Sequence, residues 1–251
     1  MEGKEDMIRI EPDKRVFDFL NSDEAVNLNI KGIIHNNPDA EVYVDDENEI
    51  KGVLVRNGFF YSLYTEREDV LNRFLDMISQ NQDYIGFSGV YRPITEMILK
   101  RFKLDWRNPC DIYYLPVERY DPGLRKNPTQ PVRLEDAEIV DKFYTFRSET
   151  SLEQIKKDIS LRHSSAVYVN GKIASWVLTH DDNSMGIMYT REEYRRRGFA
   201  VDVTIDLAGK IIKSGHIPFV QILESNTQSP GLALKCGFIK AGKCDWFGVE
   251  V

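Results

Sequence analysis

The sequence predicts a mixed α/β protein built as two similar halves, each closing on a sheet with some parallel pairing. Internal repetition is the first reason. Val42-Tyr43-Val44-Asp45 recurs as Val167-Tyr168-Val169-Asn170, and Tyr64-Thr65 recurs as Tyr189-Thr190, both 125 positions later in a chain of 251 residues. Cys110-Asp111 and Cys244-Asp245 open the last apolar run of each half at a longer spacing, which implies insertions in the second. The second reason is a turn-rich connector, where Pro122-Gly123, Asn127-Pro128 and Pro131 separate periodic segments. These signals divide the chain into residues 1–120, a linker at 121–130, and residues 131–251. The third is a strand–helix–strand crossover in the middle of the second half, which requires parallel neighbours.

The elements of the second half follow in order. Apolar residues at 134, 137, 139, 140, 143, 144 and 146 predict a helix, with Asp136 and Glu138 near its start as the helix dipole prefers. Ser151 with Gln154 reads as a capping box for a second helix through Leu161. The period then changes: 166–169 and 173–178 flank Asn170-Gly171, the pair that a type I′ hairpin turn demands. A third strand is expected over 185–190, a helix from Gly198 to Ser214-Gly215, a strand over 218–223, a helix over 229–236 and a closing strand from Cys244. The predicted order is ααβββαβαβ.

Composition narrows the function. Hydrophobic residues at 42% and charged residues at 29% describe a globular chain, and a net charge of −7 offers no general attraction to nucleic acid or anionic lipid. Met1 to Arg15 has no apolar leader-like run and no later stretch approaches a membrane span, so a cytoplasmic protein with no membrane partner is expected. Cys110, Cys236 and Cys244 lack CxxC spacing, and neither a disulfide framework nor a metal site is expected. The basic cluster Lys100, Arg101 and Lys103 reads as the solvated end of an amphipathic helix.

The informative segment is Tyr194-Arg195-Arg196-Arg197-Gly198-Phe199-Ala200, where a strand gives way to a helix. The first amides of a helix lack intrahelical partners and sit at the positive end of the dipole, so an anion there gains several hydrogen bonds. Gly198 lets backbone approach closely and Ala200 avoids bulk. Three arginines at a helix start oppose the dipole, a conflict that a bound diphosphate removes.

Arg195-x-x-Gly198-x-Ala200 after a strand resembles the R/Q-x-x-G-x-G/A signature of Gcn5-related N-acetyltransferases (GNATs). Asn226, Ser229, Leu232, Lys235 and Gly237-Phe238 resemble the family's later N-x-x-(A/S)-x-x-L-Y-x-K-x-G-F stretch. Together the two cover roughly residues 130–240. Ser175-Trp176, Tyr189-Thr190, Glu193-Tyr194-Arg195 and Asp245-Trp246 look like the glycine N-acyltransferase-like, or FR47-like, branch, which carries a degenerate N-terminal copy of the fold. The resemblance implies a tandem GNAT fold. Coenzyme A or acetyl-CoA would be held by Met188, Tyr189 and Thr190 along the pantetheine arm, by Arg195, Arg196, Arg197, Gly198, Phe199 and Ala200 at the pyrophosphate, and by Asn226 and Ser229. The N-terminal copy, with Thr65 to Asn72 in place of the glycine motif, would bind no coenzyme and would serve as scaffold and part of the acceptor wall.

The implied reaction moves an acetyl or short acyl group to a primary amine of a small molecule or peptide. A lysine-like amine must lose a proton that costs about 4.6 kcal/mol to remove at pH 7, and an α-amine costs about 1.4 kcal/mol. Glu224 is the first candidate base; Asp181 or Asp182 with His180, at the polar turn before the third strand, are the other candidates. The family's usual Tyr is replaced by Ala233, leaving Ser229, Cys236 and Tyr189 as candidate acids. Two other readings stay open: a catalytically impaired coenzyme A-binding module, and a nucleotide-binding protein, although no G-x-x-x-x-G-K-[ST] or G-x-G-x-x-G is present.

Overall fold

The computed structural model describes residues 7–251. Two compact units result, one from the chain up to Ile112 together with Ala241–Val251, the other from Tyr113–Lys240. The first contains β1 (Ile8–Ile10), α1 (Lys14–Leu20), α2 (Leu28–Asn36), β2 (Glu41–Val44), β3 (Gly52–Asn57), β4 (Phe60–Thr65), α3 (Glu68–Ile78), β5 (Tyr84–Tyr91), α4 (Arg92–Ile98) and most of β6 (Lys103–Tyr114). The second contains α5 (Ala137–Lys142), α6 (Ser151–Leu161), β7 (Ser164–Val169), β8 (Lys172–Thr179), β9 (Met185–Thr190), α7 (Phe199–Lys213), β10 (Phe219–Leu223), α8 (Ser229–Lys235) and the start of β11 (Ile239–Glu250). From α1 to β6 and from α5 to β11 the order is the same, ααβββαβαβ. The repeated peptides occupy matching places: Val42 and Val167 in β2 and β7, Tyr64-Thr65 and Tyr189-Thr190 ending β4 and β9.

In the first unit the strands lie in the order β1-β2-β3-β4-β5-β11-β6. The pairs β1/β2, β2/β3 and β3/β4 are antiparallel. The β4/β5 pair is parallel, joined only at Phe60↔Gly86 and Tyr61↔Phe87 before the strands part. In the second unit β7, β8 and β9 form an antiparallel sheet, with the hairpin turned by Asn170 (φ 50°) and Gly171 (φ 75°) as their residue types demand. Helix α7 supplies the core on one face, where Val203, Leu207, Ala208 and Ile211 pack with Ala174 and Val177. On the other face α5 and α6 cover Ala166, Ile173, Trp176 and Leu178.

Five expectations are corrected. The closing strand, placed in residues 131–251 by sequence, joins the first unit, where β11 pairs antiparallel with β5 from Cys244↔Tyr91 to Glu250↔Tyr84. Its Asp245 is fully buried there and held by the guanidinium groups of Arg92 and Arg107 at 2.9–3.1 Å. The expected linker is not loose chain. Asp202 of α7 accepts from the amides of Lys126 (2.6 Å) and Asn127 (3.2 Å) and from Asn127 Nδ2 (2.8 Å), Arg125 pairs with Asp206 at 2.6 Å, and Gln130 bridges to Ala166.

The first helix of the second half is short, a 3-10 turn at Leu134–Asp136 followed by α5, because Asp141 turns to Arg147 and Ser151 and draws the chain out of helix after Lys142. Ser151 consequently does not form the capping box: its hydroxyl accepts from Ser148 N (3.1 Å), and Gln154 reaches Asp158. Lys100 and Arg101 follow α4 in a turn rather than ending a helix, and Lys103 opens β6. Arg101 pairs with Asp76 and Lys103 with Glu250.

Candidate functional site

The second unit contains a break in its sheet. Strands β9 and β10 run side by side, and the α7 crossover returns the chain so that both run the same way, yet no ladder joins them. The edge of β9 away from β8 therefore keeps its peptide groups for something other than a strand of this chain, the arrangement that strand-like ligands use. Within β9 the register to β8 shifts: Tyr189 faces Trp176 and Gly186 faces Leu178, leaving Ile187 and Met188 opposite the single residue Val177. Ile187 has φ 49°, an unfavourable conformation for a β-branched residue, so the bulge is held against local strain.

β9 leads into the arginine-rich loop. A 3-10 turn at Glu192–Tyr194 precedes Arg195 in extended conformation, Arg196 at φ 62° and Gly198 at φ 86°. Gly198 is the N-cap of α7, and no side chain caps that helix. A Cβ on Gly198 would meet only Asp202 Oδ2, at 3.9 Å, so the positive φ rather than crowding is what calls for glycine. Arg195 is anchored: its Nε donates to Thr190 O (3.2 Å), its terminal nitrogen donates to Tyr189 Oη (3.3 Å), and the guanidinium lies over the Tyr189 ring. Arg197 donates to Glu193 O (3.2 Å) and, with Arg191, brackets the Tyr194 ring. Arg196 makes no hydrogen bond or ion pair among the described residues and is exposed. Phe199 turns into the core and Ala200 lies at the first turn.

The structure places Met188, Tyr189, Thr190 and residues 195–200 in one continuous stretch along β9 and into α7. Asn226 lies in the turn after β10, where Oδ1 accepts from the amides of Gln228 and Ser229 (3.1 Å each) and Nδ2 donates to Ser229 Oγ (2.9 Å). Both predicted side chains there shape the start of α8. Glu224 is exposed at the C-terminal end of β10, the end that shares its direction with the arginine loop. Asp181 is at the other end, in the turn before β9; the six residues of β9 separate the two by about 20 Å at about 3.3 Å per residue. Cys236 is fully buried in the α7 core and burial pushes its thiol up to about 11, which removes it as a proton donor to a coenzyme. Ala233 is buried beside it. Tyr189 stacks on Phe143, with ring centroids 4.5 Å apart.

Around the turn before β9 lies a cluster of titratable groups that sequence reading treated as a polar turn. Asp158 of α6 is fully buried; its Oδ1 accepts from Arg162 (2.5 Å) and Gln154 (2.9 Å), and its Oδ2 has no hydrogen-bond partner, with His180 Nδ1 at 3.8 Å. Asp182 Oδ1 accepts from the amide (2.8 Å) and hydroxyl (2.5 Å) of Ser184, and its buried Oδ2 is unpartnered. Burial raises the Asp182 carboxyl above the usual range. Burial likewise raises the nearby Tyr144 phenol, aided by the charges of Asp158 and Asp182. The sequence signal was the i,i+4 pair Asp158 and Arg162 followed by His180-Asp181-Asp182; the chain folds that brought them together were not legible.

In the first unit the matching break is filled. Where β4 and β5 part, Ser62 Oγ donates to Ser88 O (2.8 Å), and Asn29 Nδ2 donates to Ser88 O (3.4 Å) and Gly89 O (3.1 Å), all three side chains being buried. The following helix α3 begins with Glu68 and Asp69, so its positive end already faces carboxylates.

Residues 167–247 match the FR47-like protein family model. Over 102 residues the chain is 31% identical to human glycine N-acyltransferase-like protein 1, covering 40% of this chain and a third (33%) of that protein's length. Among solved structures, a Drosophila protein superposes with TM-score 0.75 at 14% identity over 98% of both chains. A tandem GNAT protein from the clavulanic acid biosynthesis pathway superposes with TM-score 0.56 at 10% identity over 98% of both chains. An acetyltransferase of the GNAT family from Colwellia psychrerythraea gives 0.56 at 13% identity over 98% of this chain and 100% of the other. The fold is the one shared with these GNAT structures. The likeness to the FR47-like family extends over residues 167–247, less than half of the chain. No helix among the described residues is long and apolar enough to cross a membrane.

Proposed function

We propose that the protein is an N-acyltransferase that takes an acetyl or short acyl group from acyl-coenzyme A and delivers it to a primary amine of a small molecule or peptide. The observation that carries this reading is the open edge of β9, bulged at Ile187-Met188, running directly into the uncapped N-terminus of α7 at Gly198. The pyrophosphate would take the loop amides and Arg196, with Arg195 and Arg197 shaping the loop from fixed positions. The pantetheine arm would lie along Met188 to Thr190 as an added strand. Its thioester would then reach the bulge, where a backbone donor preorganised by strain polarises the carbonyl.

Glu224 stands at the pyrophosphate end of β10 and Asp181 at the acyl end of β9, which favours the turn before β9 as the source of the base. Asn226 and Ser229 would contribute by fixing the α8 turn beside the coenzyme. The first unit is read as binding no coenzyme, since Asn29, Ser62 and Ser88 fill its own break. A second reading, coenzyme A binding without turnover, is favoured by Ala233 and by the buried, high-pKa Cys236, which leave the departing thiolate without an obvious donor.

Release of free coenzyme thiol from acetyl-CoA, followed with glycine and with a panel of other primary amines, separates the two. Amine-dependent release supports the transferase; binding of acetyl-CoA with no release for any amine supports the binding module.

A further inference from the structure

Resting on the acyltransferase reading, we propose that His180, oriented by Asp158, is the general base that takes the proton from the acceptor amine. Three features of the second unit place it there. His180 leaves the end of β8 and is pinned by a tight turn, its amide donating to Ser184 O (2.9 Å) and its carbonyl accepting from Asn183 N (3.0 Å). Its ring lies on β9 at Gly186: a Cβ on that glycine would fall 2.2 Å from His180 Nε2, so a residue without a side chain is what allows the imidazole to sit there. Gly186 is the residue before the bulge at Ile187-Met188, where the thioester would end.

Behind the ring, the orphaned Oδ2 of Asp158 faces Nδ1 at 3.8 Å, while its Oδ1 is locked by Arg162 and Gln154. A carboxylate with one oxygen fixed and one waiting for Nδ1–H selects the tautomer whose Nε2 carries the lone pair. The His180 side chain is 27% exposed, whereas Asp158 behind it is fully buried.

The charges that act on the ring are Asp158 from α6 and Asp181 and Asp182 from its own turn; Arg162, the C-cap residue of α6, donates to Asp158, and the Tyr144 phenol lies near Asp158 and Asp182. Burial disfavours the imidazolium, but Asp158, Asp182 and Asp181 outweigh it and raise the His180 pKa above its ordinary value of 6.5.

The acceptor R–NH3⁺ gives one proton to His180 Nε2, and the freed lone pair forms the N–C bond at the thioester carbonyl carbon. The C–S bond breaks and its electron pair leaves on sulfur. The second N–H proton of the tetrahedral adduct passes to that thiolate, giving the amide and free coenzyme thiol, and His180 returns its proton to solvent.

The test compares wild type, His180→Gln and Asp158→Asn by acetyl-CoA titration calorimetry, by the pH profile of kcat/KM with glycine and with the amine panel, and by NMR titration of the His180 ring. His180→Gln should bind acetyl-CoA with wild-type affinity and lose about 10²-fold in kcat/KM near pH 7.5. Its rate should then rise with pH only as the amine itself deprotonates. Asp158→Asn should move the rising limb, and the ring titration, to lower pH. A His180→Gln profile superimposable on wild type, or a ring that titrates below 6.5 in the wild type, overturns the proposal. A wild type that fails to bind acetyl-CoA or to release thiol with any amine overturns the acyltransferase reading itself and this step with it.

Discussion

Gly198 joins backbone conformation to the proposed coenzyme site at a single position. Its φ of 86° starts α7 and leaves the first-turn amides without a side-chain cap. Gly198→Ala should cost about 1 kcal/mol in urea unfolding from the left-handed conformation alone. Gly198→Trp should abolish coenzyme binding in a protein that still folds, because the Cβ position is open to all but Asp202. Asp202 is buried and satisfies three donors of the segment 126–127. Asp202→Ala, which strands two backbone amides, should lower stability by about 2–4 kcal/mol in the same experiment.

Cys236 gives a pH prediction. Its folded pKa of about 11 lies above the ordinary value of 9.0, so the folded state holds the thiol proton more tightly. That contribution is fully present below pH 9 and is lost as pH rises from 9 to 11, with a slope of at most about 1.4 kcal/mol per unit. Urea unfolding across that range should show a decline that Cys236→Ala reduces.

At the scale of elements, β9 carries the site through two irregularities, the bulge at Ile187 and its separation from β10. The sequence predicted β9 at its observed bounds and the turn residues Asn170-Gly171 and Gly198, because hairpin and cap conformations select particular side chains. It could not show the bulge, since Ile187 is a good strand former and its positive φ is imposed by packing. The cluster of His180, Asp158 and Asp182 was equally hidden, because α6 and the turn before β9 meet only in the folded unit. Helix 134–146 was overextended for a related reason: its apolar spacing continues past Lys142, but Asp141 has better partners in Arg147 and Ser151. In the first unit, Asp245 on β11 between Arg92 and Arg107 is the matching long-range feature. Asp245→Ala leaves two partly buried guanidinium groups without their carboxylate and should cost about 3–5 kcal/mol, read as a lowered melting temperature.

For the whole molecule, the repeated order of elements was legible from three short matches, and the division of the chain was not. Boundary signals in a sequence mark turns, and Pro122 to Pro131 is rich in them, but that segment is tied to α7 while the last eleven residues, 241–251, belong to the first unit. Residues 7–114 alone should consequently fail to fold, lacking the strand between β5 and β6. A chain in which 239–251 is joined to them by a flexible linker should regain dispersed amide NMR signals. On the proposed function, the filled break at Asn29, Ser62 and Ser88 predicts a single coenzyme site per chain.

Calorimetric titration of the purified protein with acetyl-CoA, beside the Arg195→Ala, Arg197→Ala double variant, tests that site most directly. Saturable binding of one acetyl-CoA per chain that weakens at least tenfold in a folded variant is the predicted result. No binding by the wild type, or unchanged binding by the variant, contradicts the assignment of the coenzyme to residues 195–200.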